Sequence, residues 1–178
     1  MTTVAIIGAG PLGRWLALTA ARAGFSVFLE DVMPSNLHHA QEYLRGQLTP
    51  RAHDGDPAIH FVSTVEDAVR EADLVIDCVP DELESKLEIL WLLDRMAPPK
   101  TVIATPTTAL SIADLAACTY RPEKCIAIAA DPRALSTQSS GSPIQLQTIA
   151  CTAPEAAALV AHFWSSLGFH PTIEQVSG

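Results

Sequence analysis

The sequence predicts an α/β fold in which helices cover both faces of one open, doubly wound and mostly parallel sheet. Short apolar, β-branched runs alternate with helical patterns along the chain, and the connections between them are short. The chain has 178 residues, of which 48% are hydrophobic, which is enough to bury the core of one domain. Residues 1–178 are therefore predicted to form a single domain.

The N-terminal segment carries the strongest pattern. An apolar run, Val4–Ile7, leads into the glycine turn Gly8–Gly13, which has the sequence Gly-Ala-Gly-Pro-Leu-Gly. A helical segment, Arg14–Ala23, and a second apolar run, Ser26–Leu29, follow before Asp31. Strand, glycine turn, helix, strand and acid in this order are typical of a Rossmann-type unit that binds a dinucleotide. The alternative is a glycine-rich turn in an α/β protein that binds no dinucleotide.

Each residue type in the glycine turn has a physical task. Gly8 permits the tight turn out of the strand, Gly10 lets the backbone approach a pyrophosphate, and Gly13 lets the helix pack close to the strand. Pro11 and Leu12 open the helix, and the free backbone N–H groups of its first turn, other than at Pro11, mark the predicted phosphate site. Pro11 suits this position because a residue of the first turn donates no helical hydrogen bond.

The acid after the second strand predicts which cofactor binds. The carboxylate of Asp31 can accept hydrogen bonds from both ribose hydroxyls of an adenosine, and it would repel a 2′-phosphate, so NAD is favoured over NADP. Glu30 is the neighbouring candidate, but successive strand residues point to opposite faces of a sheet. Asp31 is therefore preferred as the ribose ligand.

The rest of the chain continues the alternation of strands and helices. Thr64 and Ser111 have the character of helix N-caps, because an acidic residue follows each of them within the first turn. Polar segments predict loops at Thr49–Pro57 and Ser136–Pro143. Strands are predicted at Ile59–Val62, Leu74–Val79, Thr101–Thr105, Cys125–Ala130, Ile144–Ile149 and Phe169–Val176. Helices are predicted from Pro34 to about Gly46, Thr64 to Glu71, Asp81 to Pro98, Ser111 through Asp114, and Pro154 to Gly168.

Two of these elements carry further expectations. Ile144–Ile149 alternates apolar and polar residues, so one face of this strand is expected to be wetter than those of the earlier strands. The long helix after Asp81 is expected to be buried along one apolar stripe. The residues of that stripe are Leu87, Leu90, Trp91 and Met96.

Charge and hydropathy exclude several classes of function. The formal net charge is −9 and the isoelectric point is near 5.0, which argues against nucleic acid or an anionic membrane as the main partner. The sequence contains no apolar stretch long enough to span a bilayer. A core strand at the N-terminus makes a signal peptide unexpected, and a cytoplasmic location is predicted.

Cysteines and histidines do not predict a metal site. The cysteines lack CxxC spacing and are expected to be reduced and buried. The histidines between the second and third strands have no acid or thiol spaced for ligation, so solvated side chains are expected. The residues concerned are Cys78, Cys118, Cys125, Cys151, His38, His39 and His53.

Several segments together resemble the NAD-binding domain of the 3-hydroxyacyl-CoA dehydrogenases, a family that includes the 3-hydroxybutyryl-CoA dehydrogenases. The matching segments are VAIIGAGPLGR, ADLVIDCVPDELESK, TVIATPTTALSIADLA and RPEKCIAI. The resemblance implies NAD as the cofactor, with Val79, Pro80 and Asp81 along it. It also implies Lys86 near the nicotinamide ribose, with a solvated helix lysine as the alternative.

The catalytic residues of the family are replaced in this chain. At the family's asparagine, which helps to place nicotinamide and substrate, this sequence has Pro106, and at the substrate-binding serine it has Thr108. The resemblance puts Ala129 at the general-base histidine. At the position of the glutamate that orients this histidine, the chain has Gln145, or Gln147 if the alignment of the loop is shifted. Thr108 is therefore the one remaining candidate for a catalytic side chain, and a weak one.

Other parts of the family's site are also expected to be missing. His162 and His170 do not fall at the C-terminus of a strand, so neither is expected near the nicotinamide. The resemblance also implies that the chain ends where the family's C-terminal helical domain would begin, and that domain is expected to be absent. The sequence thus favours an NAD(H)-binding domain without standard dehydrogenase activity. The alternatives are an active NAD-dependent oxidoreductase for a hydroxy acid and an interaction module that forms a homodimer.

Overall fold

The computed structural model describes residues 1–47 and 58–177, and within these ranges one sheet of eight strands is flanked by helices. The strands are β1 Thr3–Ile7, β2 Ser26–Glu30, β3 Ile59–Val62, β4 Leu74–Asp77, β5 Val102–Pro106, β6 Cys125–Ile128, β7 Pro143–Thr148 and β8 His170–Gln175. The helices are α1 Pro11–Arg22, α2 Pro34–Leu44, α3 Val65–Val69, α4 Leu83–Met96, α5 Ile112–Ala117, α6 Pro132–Leu135 and α7 Pro154–Ser166, with a 3₁₀ turn at Pro122–Lys124.

The order of the strands sets the position of the site. In space they run β3-β2-β1-β4-β5-β6-β7-β8, so the chain leaves β1 in one direction and returns to the other side of it at β4. The point where this order reverses, beside the end of β1, is where α/β sheets bind ligands. Strands β1 to β6 are parallel and end at the same edge of the sheet, which we call the carboxyl edge.

Strand β7 reverses the direction of the chain. It pairs antiparallel with β6, with Ile128 opposite Leu146, and β8 then runs parallel to β7, with Pro143 opposite His170. The first residues of β7 and β8 therefore lie at the carboxyl edge.

The core lies on both faces of the sheet, as the alternation of residues along β1 demonstrates. Val4 and Ile6 pack with α1, α2 and α7, whereas Ala5 and Ile7 pack with α3, α4 and α5. These four side chains of β1 are buried. The predicted doubly wound, mostly parallel α/β architecture is confirmed.

Local signals located most of the elements, with some differences at their ends. The hydroxyls of Thr64 and Ser111 accept hydrogen bonds from backbone N–H groups of α3 and α5, as expected for N-caps. The fourth and sixth strands end two residues earlier than predicted, and the short helix α6 was not predicted. The predicted loop Thr49–Pro57, together with His53, lies outside the described residues.

Cysteine burial was only partly predicted. Cys125 is buried and Cys78 is half-buried, but Cys118 and Cys151 are exposed. Cys118 is the C-cap of α5, and Cys151 lies in the connection that follows β7. In residues 1–47 and 58–177, no three His, Cys, Asp or Glu side chains lie together as metal ligands would. None of the helices in these ranges is both long enough and apolar enough to cross a membrane.

Candidate functional site

The glycine turn after β1 has the close contacts that its sequence predicts. Gly8 has a φ of +103°, a conformation that side chains with a Cβ rarely adopt. A Cβ added to Gly13 would lie 1.8 Å from the carbonyl oxygen of Gly8, so only glycine lets α1 pack this close to β1. At Gly10, by contrast, no described heavy atom lies within 4 Å of an added Cβ. The space next to Gly10 is open, as an approaching pyrophosphate requires.

Helix α1 begins directly after this space. Gly10 is its N-cap, Pro11 occupies the first turn, and among the described residues no side chain caps the helix. The first N–H groups of a helix have no intrahelical partners, and they carry a partial positive charge. The start of α1 is therefore suited to an anion. The side chain of Leu12 is buried in the core, so only its backbone can contribute.

Asp31 follows β2 at the carboxyl edge and accepts four hydrogen bonds. Its Oδ2 accepts from the backbone N–H of Ala9 at 2.9 Å, and its Oδ1 accepts from the backbone N–H of Met33 at 2.8 Å. The amide Nδ2 of Asn36 donates to both oxygens, at 3.1 and 3.0 Å. The bond to Ala9 joins the carboxylate directly to the glycine turn. Asn36 was not singled out in the sequence, because an isolated asparagine in a helix carries no recognisable signal.

One cleft of about 780 Å³ connects these features. Of the residues that the sequence singled out for the cofactor, Gly8, Gly10, Asp31, Val79 and Pro80 line it. The lining also includes parts of α3 and α4, so the cleft continues past the glycine turn between these two helices. The remaining cofactor candidates lie outside the lining as the structure describes it; they are Pro11, Leu12, Gly13, Asp81 and Lys86.

Glu30, the neighbouring candidate, also lines this cleft. Glu30 is 5% exposed. Burial, together with the nearby charge of Asp31, raises the pKa of Glu30 from 4.5 to about 7. A carboxyl group that ionises near neutral pH thus lies beside the ribose candidate.

This shift predicts a pH-dependent stability. Because the pKa of Glu30 is higher in the folded protein, its protonation stabilises the fold fully below pH 4.5, and this contribution is lost as the pH rises through about 7. The loss amounts to roughly 3 kcal/mol at most. We expect Glu30→Gln to remove this part of the pH dependence and to raise stability at pH 8, as measured by urea unfolding between pH 5 and 8. Glu71→Gln, at an exposed site, is the control, and parallel profiles for wild type and Glu30→Gln would contradict the expectation.

A second group of polar residues joins the loops that follow β4 and β5. The carboxylate of Asp81 accepts a hydrogen bond from the hydroxyl of Thr107 at 2.5 Å and another from the backbone N–H of Thr108 at 3.0 Å. The hydroxyl of Thr107 in turn accepts from the backbone N–H groups of Ala109 and Leu110. Asp81 therefore holds the loop that carries Thr108, whose side chain is exposed at the carboxyl edge. The role of Thr107 was missed because its partner lies on a different loop.

Lys86 is neither solvated nor open to the cleft. Its ammonium group pairs with Asp77 at 2.5 Å, and both side chains are 0% exposed. The second oxygen of Asp77 has no hydrogen-bond partner in the part of the chain that the structure describes. Burial raises the pKa of Asp77, and the ammonium of Lys86 opposes that rise. The solvated-lysine interpretation is wrong, and no surface of Lys86 is exposed for direct contact with a nicotinamide ribose.

The two residues that directly follow β6, Ala129 and Ala130, carry no acid–base group. The backbone N–H of Ala129 donates to the carbonyl of Gln145 at 2.9 Å, so Gln145, rather than Gln147, lies opposite Ala129. The amide of Gln145 donates to Glu174. His162 and His170 are exposed, and neither lines the described cleft. The reversal at β7 nevertheless brings His170 to the carboxyl edge, which was not predicted, two strand spacings or roughly 10 Å from β6.

An open glycine turn, an uncapped helix start and a carboxylate at the end of the next strand, arranged around one cleft, define a dinucleotide-binding domain of the α/β class. The family model for the NAD-binding domain of 3-hydroxyacyl-CoA dehydrogenase matches residues 3–132. The chain belongs to this family, and NAD is its cofactor.

The relatives extend beyond the matched domain. The chain is similar to a probable 3-hydroxybutyryl-CoA dehydrogenase of Bacillus subtilis, with 35% identity over 133 residues, covering 69% of this chain and 46% of the relative. It is 31% identical over 132 residues to 5-formyl-3-hydroxy-2-methylpyridine 4-carboxylate 5-dehydrogenase of Mesorhizobium japonicum, covering 69% of this chain and 42% of the relative. The chain thus spans about half the length of the curated relatives it matches.

A solved structure supports the fold over nearly the whole chain. The 3-hydroxybutyryl-CoA dehydrogenase of Escherichia coli K12 superposes with a TM-score of 0.80 and 26% identity. The match covers 98% of this chain and 38% of that protein. It therefore includes β7, α7 and β8, which lie beyond the residues matched by the family model.

Proposed function

We propose that this chain binds NAD(H) across the carboxyl edge, with the pyrophosphate at the start of α1 and the adenosine ribose at Asp31. The open space at Gly10, next to an uncapped helix and on the same cleft as Asp31, carries this proposal. Val79 and Pro80 line the cleft and would lie along the cofactor. The carboxylate of Asp31 would accept hydrogen bonds from the ribose hydroxyls and disfavour a 2′-phosphate.

We further propose that the chain lacks standard 3-hydroxyacyl-CoA dehydrogenase activity. When bound, NAD supplies hydride transfer, but oxidation of an alcohol also needs a group that takes the O–H proton as the hydride leaves. Ala129, at the end of β6, has only a methyl group, and Gln145 opposite it is a neutral amide. Neither side chain can accept that proton at neutral pH.

Binding and turnover can be measured separately. We expect calorimetric titration to show NADH binding below millimolar concentration, with NADPH binding much more weakly because of Asp31. We expect no NADH formation from 3-hydroxybutyryl-CoA and NAD⁺ under conditions in which the cofactor saturates the protein. Failure to bind NADH at millimolar concentration would refute the cofactor site, whereas turnover of the thioester would refute the loss of activity alone.

The alternative is an active NAD-dependent oxidoreductase for a different hydroxy-acid substrate. It would use Thr108 or residues from a second copy of the chain in a homodimer. The exposed side chain of Thr108, on a loop held by Asp81, favours this alternative, as does a relative named for a pyridine carboxylate rather than a CoA ester. In a screen of hydroxy acids, turnover that disappears in Thr108→Val would support it, and turnover insensitive to this change would exclude a role for Thr108.

A further inference from the structure

The carboxylate of Asp31 has no acceptor site left for a ligand. A carboxylate offers about four lone-pair positions, two on each oxygen. In the described residues, Oδ2 accepts from the N–H of Ala9 and from the amide of Asn36, and Oδ1 accepts from the N–H of Met33 and from the same amide. A ribose with two hydroxyl donors can bind this carboxylate only if two of these positions become free.

The four positions are not equally easy to free. The N–H of Ala9 belongs to the glycine turn, which is itself fixed by a hydrogen bond of 2.8 Å from the N–H of Gly8 to the carbonyl of Glu30. The N–H of Met33 belongs to the N-cap of α2. Moving either donor would change the backbone of the site.

The amide of Asn36, in contrast, can leave by rotation of one side chain. Asn36 is half-buried in the first turn of α2, and its backbone N–H is held separately by the carbonyl of Met33 at 3.0 Å. Asn36 also lies in the lining of the cleft. It therefore occupies one acceptor position on each oxygen of Asp31 from the ligand side, as the hydroxyls of a ribose diol would.

We propose that Asn36 is an internal competitor for the adenosine ribose, and that it sets the affinity of the cofactor site by occupying Asp31 until a ribose diol displaces its amide. This inference rests on the proposed binding of NAD(H) at Asp31. Asn36 would thus lower the affinity for the cofactor by acting through Asp31. Asp31 is held in place by the two backbone donors whether or not Asn36 is present, so removal of the amide frees acceptor positions without releasing the carboxylate.

The test is a double-mutant cycle with NAD⁺ as the probe. Dissociation constants are measured by calorimetry for wild type, Asn36→Ala, Asp31→Ala and the double variant. The melting temperature of each protein is measured without ligand. Ser35→Ala is the matched control, because Ser35 is an exposed neighbour in the same helical turn that is not among the described residues lining the cleft. Alanine is a good helix former, so Asn36→Ala is expected to fold.

We expect Asn36→Ala to bind NAD⁺ about threefold to tenfold more tightly than wild type, as expected for the loss of competing hydrogen bonds of ordinary strength. The melting temperature without ligand should fall slightly, because the same bonds are lost from the free protein. In the Asp31→Ala background, Asn36→Ala should change the affinity little, because the competitor has no carboxylate to occupy.

Two other results would have different meanings. If wild type binds NAD⁺ and Asn36→Ala binds it equally or more weakly, or if the gain persists without Asp31, the competition is refuted and the cofactor site stands. If wild type and the Asn36→Ala variant both fail to bind at millimolar concentration, the proposed cofactor site itself fails, and the inference fails with it.

Discussion

Replacing Lys86 by methionine is expected to lower the free energy of unfolding by about 3–5 kcal/mol, because removal of one partner of a buried ion pair leaves the other charge without compensation. Asp77 would remain at 0% exposure, and its second oxygen already lacks a partner among the described residues. Methionine keeps the length and the apolar stem of lysine, so the loss reports on the charge rather than on a cavity.

Urea unfolding measures this loss, and two further variants separate its causes. A combined Lys86→Met and Asp77→Leu variant should recover most of the stability, because apolar residues often replace a complete buried pair without loss. Lys100→Met removes a lysine from the exposed pair with Asp73, at 2.6 Å, and should leave the unfolding midpoint nearly unchanged. If Lys86→Met were as mild as Lys100→Met, the buried pair would not stabilise the fold as we infer.

The same pair has a structural role near the candidate site. Asp77 is the last residue of β4, and Lys86 lies in the first turns of α4, so their contact spans the loop that carries Val79, Pro80 and Asp81. Because both groups are buried, the pair restricts the positions that this loop can take. Lys86 therefore supports the candidate cofactor site from within the protein, whereas the resemblance had placed it against the cofactor.

Local signals predicted the fold well because the interactions that define its elements are short in sequence. The glycine turn, the N-caps at Thr64 and Ser111, and the apolar runs each act within a few residues. The direction of β7 could not be predicted in the same way. Its alternating pattern indicates a strand with one wetter face, but this pattern is the same whether the strand runs parallel or antiparallel to β6.

The burial of Lys86 was not predicted, because the sequence analysis assigned the wrong residues to the buried face of α4. Trp91 and Met96, expected on the buried stripe, are 57% and 42% exposed. The buried residues of α4 are instead Lys86, Ile89, Leu90 and Leu93. A lysine is assigned to the surface by default, and only the nearby Asp77 at the end of another element makes its burial possible. Asn36 was missed because its importance depends on its contact with the carboxylate of Asp31, and no sequence pattern reveals that contact.

The second large effect is expected at Gly13, where substitution by alanine should destabilise the protein by roughly 3 kcal/mol or more, as severe overpacking does. The new Cβ would lie 1.8 Å from the carbonyl oxygen of Gly8, and this neighbour is backbone that cannot rotate away. Relief would require α1 to move away from β1 and would disturb its contacts with β2. Thermal and urea unfolding of Gly13→Ala should both shift strongly relative to wild type.

Gly10→Ala provides the matched comparison, because the same methyl group is added in the same turn but into open space. Gly10 has φ −69° and ψ −172°, which alanine adopts without strain, so stability should change by no more than about 0.5 kcal/mol. Its Cβ would project into the cleft where we place the pyrophosphate, and NADH affinity should fall about tenfold or more, as expected when direct backbone contact is lost. A folded Gly10→Ala variant with wild-type NADH affinity would mean that the pyrophosphate does not bind at this turn. A stable Gly13→Ala variant would mean that α1 and β1 tolerate a wider separation than their packing indicates.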